Sequence, residues 1–106
     1  MIVEMRLYNT RCGRTAEFVE LYQKEGLPLQ EPVQGRLLGL YVHEFGPMEQ
    51  VVLLWAYKDE ADRRARRDRL RESPQWREVM GKLAALVDSH ETRLLAPRAG
   101  EIVASG

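Results

Sequence analysis

The chain has 106 residues, of which 44% are hydrophobic and 30% charged, the size and composition of one soluble globular domain. Sixteen basic residues balance 16 acidic ones, so no net charge would attract nucleic acid or an anionic membrane. Cys12 is the only cysteine, which excludes an internal disulfide and favours a reducing compartment. The first residues lack a positive region followed by an apolar run, so we expect no secretory leader and a cytoplasmic location.

The first half of the chain alternates between strand and helix patterns. Residues 2–8 alternate with a period of two, which predicts a half-buried strand, and residues 15–25 carry apolar side chains at helical spacing. Gly26 is expected to end that helix, and the prolines and glycine of residues 27–35 predict a loop. Residues 36–45 alternate again and predict a second strand.

The second half predicts a hairpin, a helical stretch in two pieces and a last strand. Residues 46–57 begin with a Gly-Pro turn and continue as an apolar strand. Asp59 and Ser73 can each cap a helix, and the second helix has a proline at its first position. Residues 89–96 predict the final strand.

The order β-α-β-β-α-β predicts the ferredoxin-like plan of the α+β class, a four-stranded antiparallel sheet with helices on one face. We expect this domain over residues 1–97, followed by a tail over residues 98–106. The helices are expected to cover the aliphatic side of the sheet, formed by Val3, Met5, Leu7, Leu38, Leu40, Val42, Val52, Leu54 and Ala56. The uncovered side would then carry Leu37, Tyr41, Phe45, Val51, Leu53, Trp55 and Tyr57.

An uncovered aromatic patch of this size exceeds what monomers usually expose. We therefore predict a homodimer in which two sheets face each other and form a dimeric α+β barrel.

Polar side chains on the same uncovered side form the candidate functional site. Strand alternation places there the candidate ligand-binding residues Glu4, Arg6, Tyr8, Tyr41, Trp55, Tyr57, Glu91 and Arg93. His43 is the candidate catalytic acid or base, because only histidine titrates near neutral pH without perturbation. Such a set could bind a small polar or aromatic ligand inside the barrel, or it could be a structural network of Glu–Arg pairs.

Short motifs spread over the chain up to residue 97 carry a family resemblance. They are Gly46-Pro47 through Glu49-Gln50-Val51-Val52, Leu54-Trp55-Ala56-Tyr57, Asp62-Arg63, Pro74-Gln75-Trp76, Glu4-Met5-Arg6 with Tyr8, Glu25-Gly26-Leu27-Pro28, and the ending from Glu91 to Pro97. Together they resemble the signature of the NIPSNAP family, which implies the dimeric α+β barrel and no generally settled reaction. Leu53 departs from the pattern, because family members often have a histidine there.

Metal and nucleic-acid functions are not favoured. The two histidines lack a carboxylate at ligand spacing, and no cofactor is expected. Six arginines crowd residues 63–71, and Arg63, Arg64 and Arg66 each follow an acidic residue at i,i+4 spacing, which indicates a solvated helix face. Two functions stay open: a small-ligand barrel protein, which could be a cofactor-free isomerase or monooxygenase, and a non-catalytic interaction module whose barrel is filled by its own side chains.

Overall fold

A computed structural model describes residues 1–100 of the chain; part of the predicted tail, residues 101–106, lies outside the described residues. The elements are β1 (Ile2–Thr10), α1 (Thr15–Leu21), a π-helical turn (Tyr22–Gly26), α2 (Leu27–Gln34), β2 (Arg36–Val42), β3 (Gln50–Tyr57), α3 (Glu60–Arg71), α4 (Pro74–Ala84) and β4 (Val87–Leu95). The strands form one antiparallel sheet in the order β2-β3-β1-β4. This arrangement confirms the predicted α+β, ferredoxin-like fold. None of the helices within residues 1–100 is long and apolar enough to cross a membrane.

The helices α3 and α4 begin where their capping residues predict. The Asp59 carboxylate accepts a hydrogen bond from the Asp62 backbone N–H at 2.8 Å, and the Asp62 carboxylate accepts from the Lys58 N–H at 3.1 Å. The Ser73 hydroxyl accepts from the Trp76 N–H at 3.2 Å. The bonds to Asp59 and Ser73 satisfy donors that the first turn of each helix leaves free, and the Ser73 cap explains why a new helix begins after the break.

The predicted loop over residues 27–35 is wrong, because most of this stretch is helix α2. Gly26 has an ordinary helical φ of −80° and does not end the helix, so the chain stays helical from residue 15 to residue 34. Pro28 lies in the first turn of α2, directly after the π-helical turn, and Pro32 lies inside α2. The helix ends instead at Gly35, whose φ of 116° favours glycine.

The helices pack on the side of the sheet opposite to the one predicted. The core consists of Val51, Leu53, Trp55 and Tyr57 from β3 with Phe18, Tyr22, Val79 and Leu83 from the helical segments. Because β3 is apolar on both sides, its alternation alone does not show which side the helices cover. A register shift in β2 between Leu37 and Gly39 then brings both Leu37 and Leu40 to the core and leaves Tyr41 on the other side.

The side of the sheet away from the helices, called here the open face, is aliphatic. It carries Val3, Met5, Leu7, Val52 and Leu54, with Tyr41 at 49% exposure on the edge strand. Phe45 lies in the hairpin loop and is 97% exposed, so it belongs to neither side. In the part of the chain that the structure describes, no helix covers the open face.

Candidate functional site

A buried carboxylate lies between the sheet and α3. Glu4, in the middle of β1, is fully buried on the helix-covered side. Its Oε2 accepts a hydrogen bond from Arg63 Nε at 2.5 Å, and its Oε1 lies 3.5 Å from Arg6 Nη1. Arg63 also donates to Glu60 at 3.1 Å. Since a buried charge is tolerated only when its partners offset the loss of water, Glu4 holds β1 and α3 together.

Arg6 extends this network towards the end of β1. Its Nε donates to the Tyr8 hydroxyl at 2.8 Å, and its guanidinium carbon lies 5.6 Å from the centroid of the Tyr8 ring. Burial alone would lower the pKa of Arg6, but Tyr8 and the Glu4 carboxylate together raise that pKa above its ordinary value. Arg6 is therefore a fixed positive charge, held between a carboxylate and a phenol.

Beside Arg6 a cavity of about 240 Å³ opens between the sheet and the helices. We call it the ring cavity, and its lining is Arg6, Tyr8, Phe18, Tyr22, Trp76, Met80, Leu83, Ala84, Val87, Asp88, Ser89 and His90. The Tyr8 and Phe18 ring centroids lie 5.4 Å apart, and the Phe18 and Tyr22 rings stack at 6.1 Å. Aromatic and aliphatic walls with a few polar groups at one end are typical of small-ligand sites.

A second cavity of about 390 Å³, called here the arginine groove, adjoins the ring cavity and shares Arg6 and His90 with it. Its lining is Arg6, Arg63, Arg64, Arg67, Asp68, Arg71, His90 and Thr92. The predicted solvated face is thus wrong for the inner arginines of α3. The sequence contains a signal for this inner position. Leu70 is the only large apolar residue of α3, and residues 63 and 67 lie on the same helix face as Leu70.

Five of the predicted site residues face the helices, so their predicted position on the uncovered side is wrong. They are Glu4, Arg6, Tyr8, Trp55 and Tyr57. Arg6 and Tyr8 line the ring cavity, whereas Trp55 and Tyr57 are buried in the core. The Tyr57 hydroxyl accepts a hydrogen bond from the Gln34 side chain. Burial, followed by the Glu4 charge, raises the pKa of Tyr57 well above its ordinary value.

The remaining predicted site residues lie on the open face or at its end. Tyr41, Glu91 and Arg93 point away from the helices as predicted, and Arg93 donates to Glu91 at 2.9 Å in an exposed pair. His43 Nε2 lies 2.8 Å from Gln50 Oε1, in a row of hydrogen-bonded side chains that crosses the end of the sheet. The row continues through Asn9 to Ser89. The sheet therefore separates Tyr41, Glu91 and Arg93 from the ring cavity. His43 lies at the end of the sheet and lines a different cavity, together with Thr15 and Val19 of α1.

Comparison with known proteins agrees with these motifs and this fold. Residues 3–99 match the sequence model of the NIPSNAP family. The chain belongs to the NIPSNAP family. A NipSnap homologue from Dictyostelium discoideum is 32% identical over an alignment of 97 residues that covers 89% of this chain. The match spans only 41% of that relative, so the chain corresponds to less than half of its length.

Solved structures of NIPSNAP proteins share the whole fold. A NIPSNAP family protein from Agrobacterium tumefaciens is 38% identical over 92% of each chain, with a TM-score of 0.88. A NIPSNAP-like domain protein from Burkholderia xenovorans is 38% identical, with a TM-score of 0.89. The match covers 94% of this chain and 87% of the Burkholderia chain. A putative antibiotic biosynthesis monooxygenase from Nitrosomonas europaea is 17% identical over 92% of this chain and 98% of its own. Its TM-score of 0.67 shows a common fold alone.

In this NIPSNAP chain, Leu53 replaces the histidine that the family resemblance leads one to expect. Leu53 is 1% exposed, pairs with Arg6 in the sheet register and packs in the core. The position therefore contributes packing and no titratable group. Within residues 1–100, no three histidine, cysteine, aspartate or glutamate side chains are grouped as metal ligands would be.

Proposed function

We propose that this NIPSNAP protein binds a small, largely apolar ligand in the ring cavity. The supporting observation is the cavity itself: a ring-lined space with Arg6 and His90 at one end. Its volume of about 240 Å³ is slightly below the range of roughly 300–1,000 Å³ that drug-sized ligands occupy. A compact ligand, such as one or two fused rings, fits this size.

The proposed ligand site lies on the helix-covered side of the sheet, and not in the barrel interior that the sequence predicts. Arg6 and Tyr8 are kept as ligand contacts, and Glu4 supports them from behind through Arg6. The ring cavity lies within one protomer, so ligand binding requires no partner chain. Ligand contacts by Tyr41, Glu91 and Arg93 stay a prediction for the open face.

A substitution that fills the ring cavity tests this proposal. Ala84 lines the cavity and is exposed, so Ala84→Trp places an indole there at little cost to folding. Ala85 is exposed and absent from the lining, which makes Ala85→Trp the matched control. Titration calorimetry with the neutral probe 2-naphthamide is expected to show binding to the wild type and to A85W, and a loss of at least about tenfold in A84W. Equal affinity in the two variants would refute the proposal.

The same molecule is proposed to be a homodimer joined through the open face. Half-buried Met5, Leu7, Val52 and Leu54 form a contiguous aliphatic surface there, and burying apolar area contributes about 25 cal/mol per Å². A second copy of the same face supplies a matching surface by two-fold symmetry. In that dimer the interior of the two-sheet barrel is filled by its own aliphatic side chains. In this proposal the open face forms a dimer interface filled by its own side chains, and the helix-covered side of the same sheet binds the ligand.

A cofactor-free isomerase or monooxygenase activity is the alternative function. It needs a proton-transfer group at the ligand, and His90 is the histidine at the ring cavity, with its ring 6.1 Å from that of Tyr8. A proton-transfer role for His43 stays a prediction, because His43 does not line the ring cavity. The cytoplasmic location expected from the single cysteine is part of the proposal; Cys12 is free and exposed.

A further inference from the structure

The arginines of the arginine groove are not equivalent. Four of them have a carboxylate partner: Arg6 and Arg63 with Glu4 at 3.5 and 2.5 Å, Arg64 with Glu60 at 3.4 Å, and Arg71 with Asp68 at 3.1 Å. Arg67 is the exception, because no described carboxylate lies within ion-pair distance of it. Its guanidinium therefore keeps its hydrogen-bond donors for another partner.

The surroundings of Arg67 favour an anion. Burial, followed by the positive charges of Arg6 and, more weakly, Arg63 and Arg71, lowers the pKa of Arg67, and the Glu4 carboxylate offsets this only in part. The groove thus holds more positive charge than its own carboxylates balance. A partly desolvated cation without a partner is unfavourable, and a charge-assisted hydrogen bond to an incoming anion would relieve that cost.

We propose that Arg67 binds the anionic group of a ligand whose apolar body lies in the ring cavity. This inference rests on the proposed function and names the ligand class: a small aromatic or aliphatic body with one carboxylate or phosphate. Arg6 and His90 line both cavities, so a single molecule can reach from the rings to the arginine groove. The planar guanidinium fork matches both anions, which accept two parallel hydrogen bonds from it.

The test compares two probes of nearly equal shape, 2-naphthoate and the neutral 2-naphthamide, by titration calorimetry at pH 7.5. Arg67→Gln removes the charge from the groove. Arg69→Gln removes the same charge from an exposed position of α3 that does not line the groove, and it is the matched control. Wild type is expected to bind naphthoate more tightly than naphthamide. R67Q should lose at least about tenfold for naphthoate only, the effect of one charge-assisted hydrogen bond, and R69Q should change neither affinity.

Other outcomes distinguish a failure of the Arg67 contact from a failure of ligand binding in the ring cavity. One outcome is that naphthamide binds with the affinities expected for A84W and A85W while R67Q binds naphthoate as tightly as the wild type does. In that case the ring cavity binds the ligand, but Arg67 is not the anion contact. An equal loss of naphthoate affinity in R67Q and R69Q would indicate only the general effect of removing one positive charge from α3, and it would also refute the proposal. If neither probe binds, the proposed function fails first and this inference with it. R67K, which keeps the charge without the fork, should fall between wild type and R67Q, and 2-naphthyl phosphate shows which anion is preferred.

Discussion

At the scale of single residues, Glu4 is the side chain on which the site depends. Glu4→Gln leaves Arg6 and Arg63, both largely buried, without their common carboxylate. Breaking a buried ion pair from one side costs about 3 kcal/mol or more, so we expect a loss of this size in the free energy of unfolding, measured with urea. Glu91→Gln in the exposed pair with Arg93 is the control and should have no measurable effect. An unchanged stability in E4Q would show that the network does not hold β1 to α3.

Two buried tyrosines predict a loss of stability at high pH. Burial raises the pKa of Tyr22 and of Tyr57 far above their ordinary value near 10, so both stay protonated while the protein is folded. The unfolded chain releases these protons above about pH 10. Stability contributed by the neutral phenols is therefore complete below that pH and is lost as pH rises above it.

The measurement is the urea midpoint between pH 8 and pH 11, together with tyrosinate absorbance. Wild type should show two tyrosines that ionise only on unfolding. The double variant with Tyr22→Phe and Tyr57→Phe should lose less stability over the same range. Parallel pH curves for the two proteins would contradict the assignment.

At the scale of elements, the start of α3 is set by one side chain. Asp59→Ala removes the cap that accepts the Asp62 N–H, and such a change costs about 1 kcal/mol. Asp59→Asn should keep most of that stability, because asparagine caps a helix nearly as well. Thermal and urea unfolding of the two variants measure the difference. Equal losses in both would mean that the carboxylate charge, and not the cap, is what matters.

Element order and caps could be predicted from the sequence because they depend on local signals: alternation in β1, the Gly-Pro turn, and the side chains of Asp59 and Ser73. Helix α2 could not, because Gly26, Pro28 and Pro32 are residues that usually interrupt helices, and here all three lie within the helical stretch. The covered side of the sheet was missed for a different reason. Glu4 and Arg6 are charged, and ion pairs rather than exposure to water compensate their charges: Glu4 pairs with Arg63 of α3 and with Arg6.

The ring cavity could not be predicted from the sequence either. Its aromatic and aliphatic residues were recognisable as helix-face packing, but only the tertiary arrangement leaves a space between them. Arg67 could have been placed on the inner face of α3 from its spacing to Leu70. Its lack of a carboxylate partner depends on contacts between distant parts of the chain.

At the scale of the whole molecule, the open face predicts self-association. Light scattering is expected to give twice the 12.3 kDa of one chain. Leu54→Glu puts a charge into the open face and should give a monomer. Leu94→Glu is the matched control, because Leu94 is exposed on the other side of the sheet, and its mass should stay that of a dimer. A monomeric wild type, or a dimeric L54E, would contradict the proposed interface.

The ligand is proposed to bind on the helix-covered side of the sheet. Methyl NMR of methionine and leucine groups can distinguish the two sides of the sheet, because each side carries both residue types: Met80 and Leu83 line the ring cavity, and Met5 and Leu54 lie on the open face. With saturating 2-naphthamide, whose ring current shifts nearby methyl signals, we expect the Met80 and Leu83 signals to move and those of Met5 and Leu54 to stay. Shifts confined to Met5 and Leu54 would place the ligand between the sheets and contradict the account.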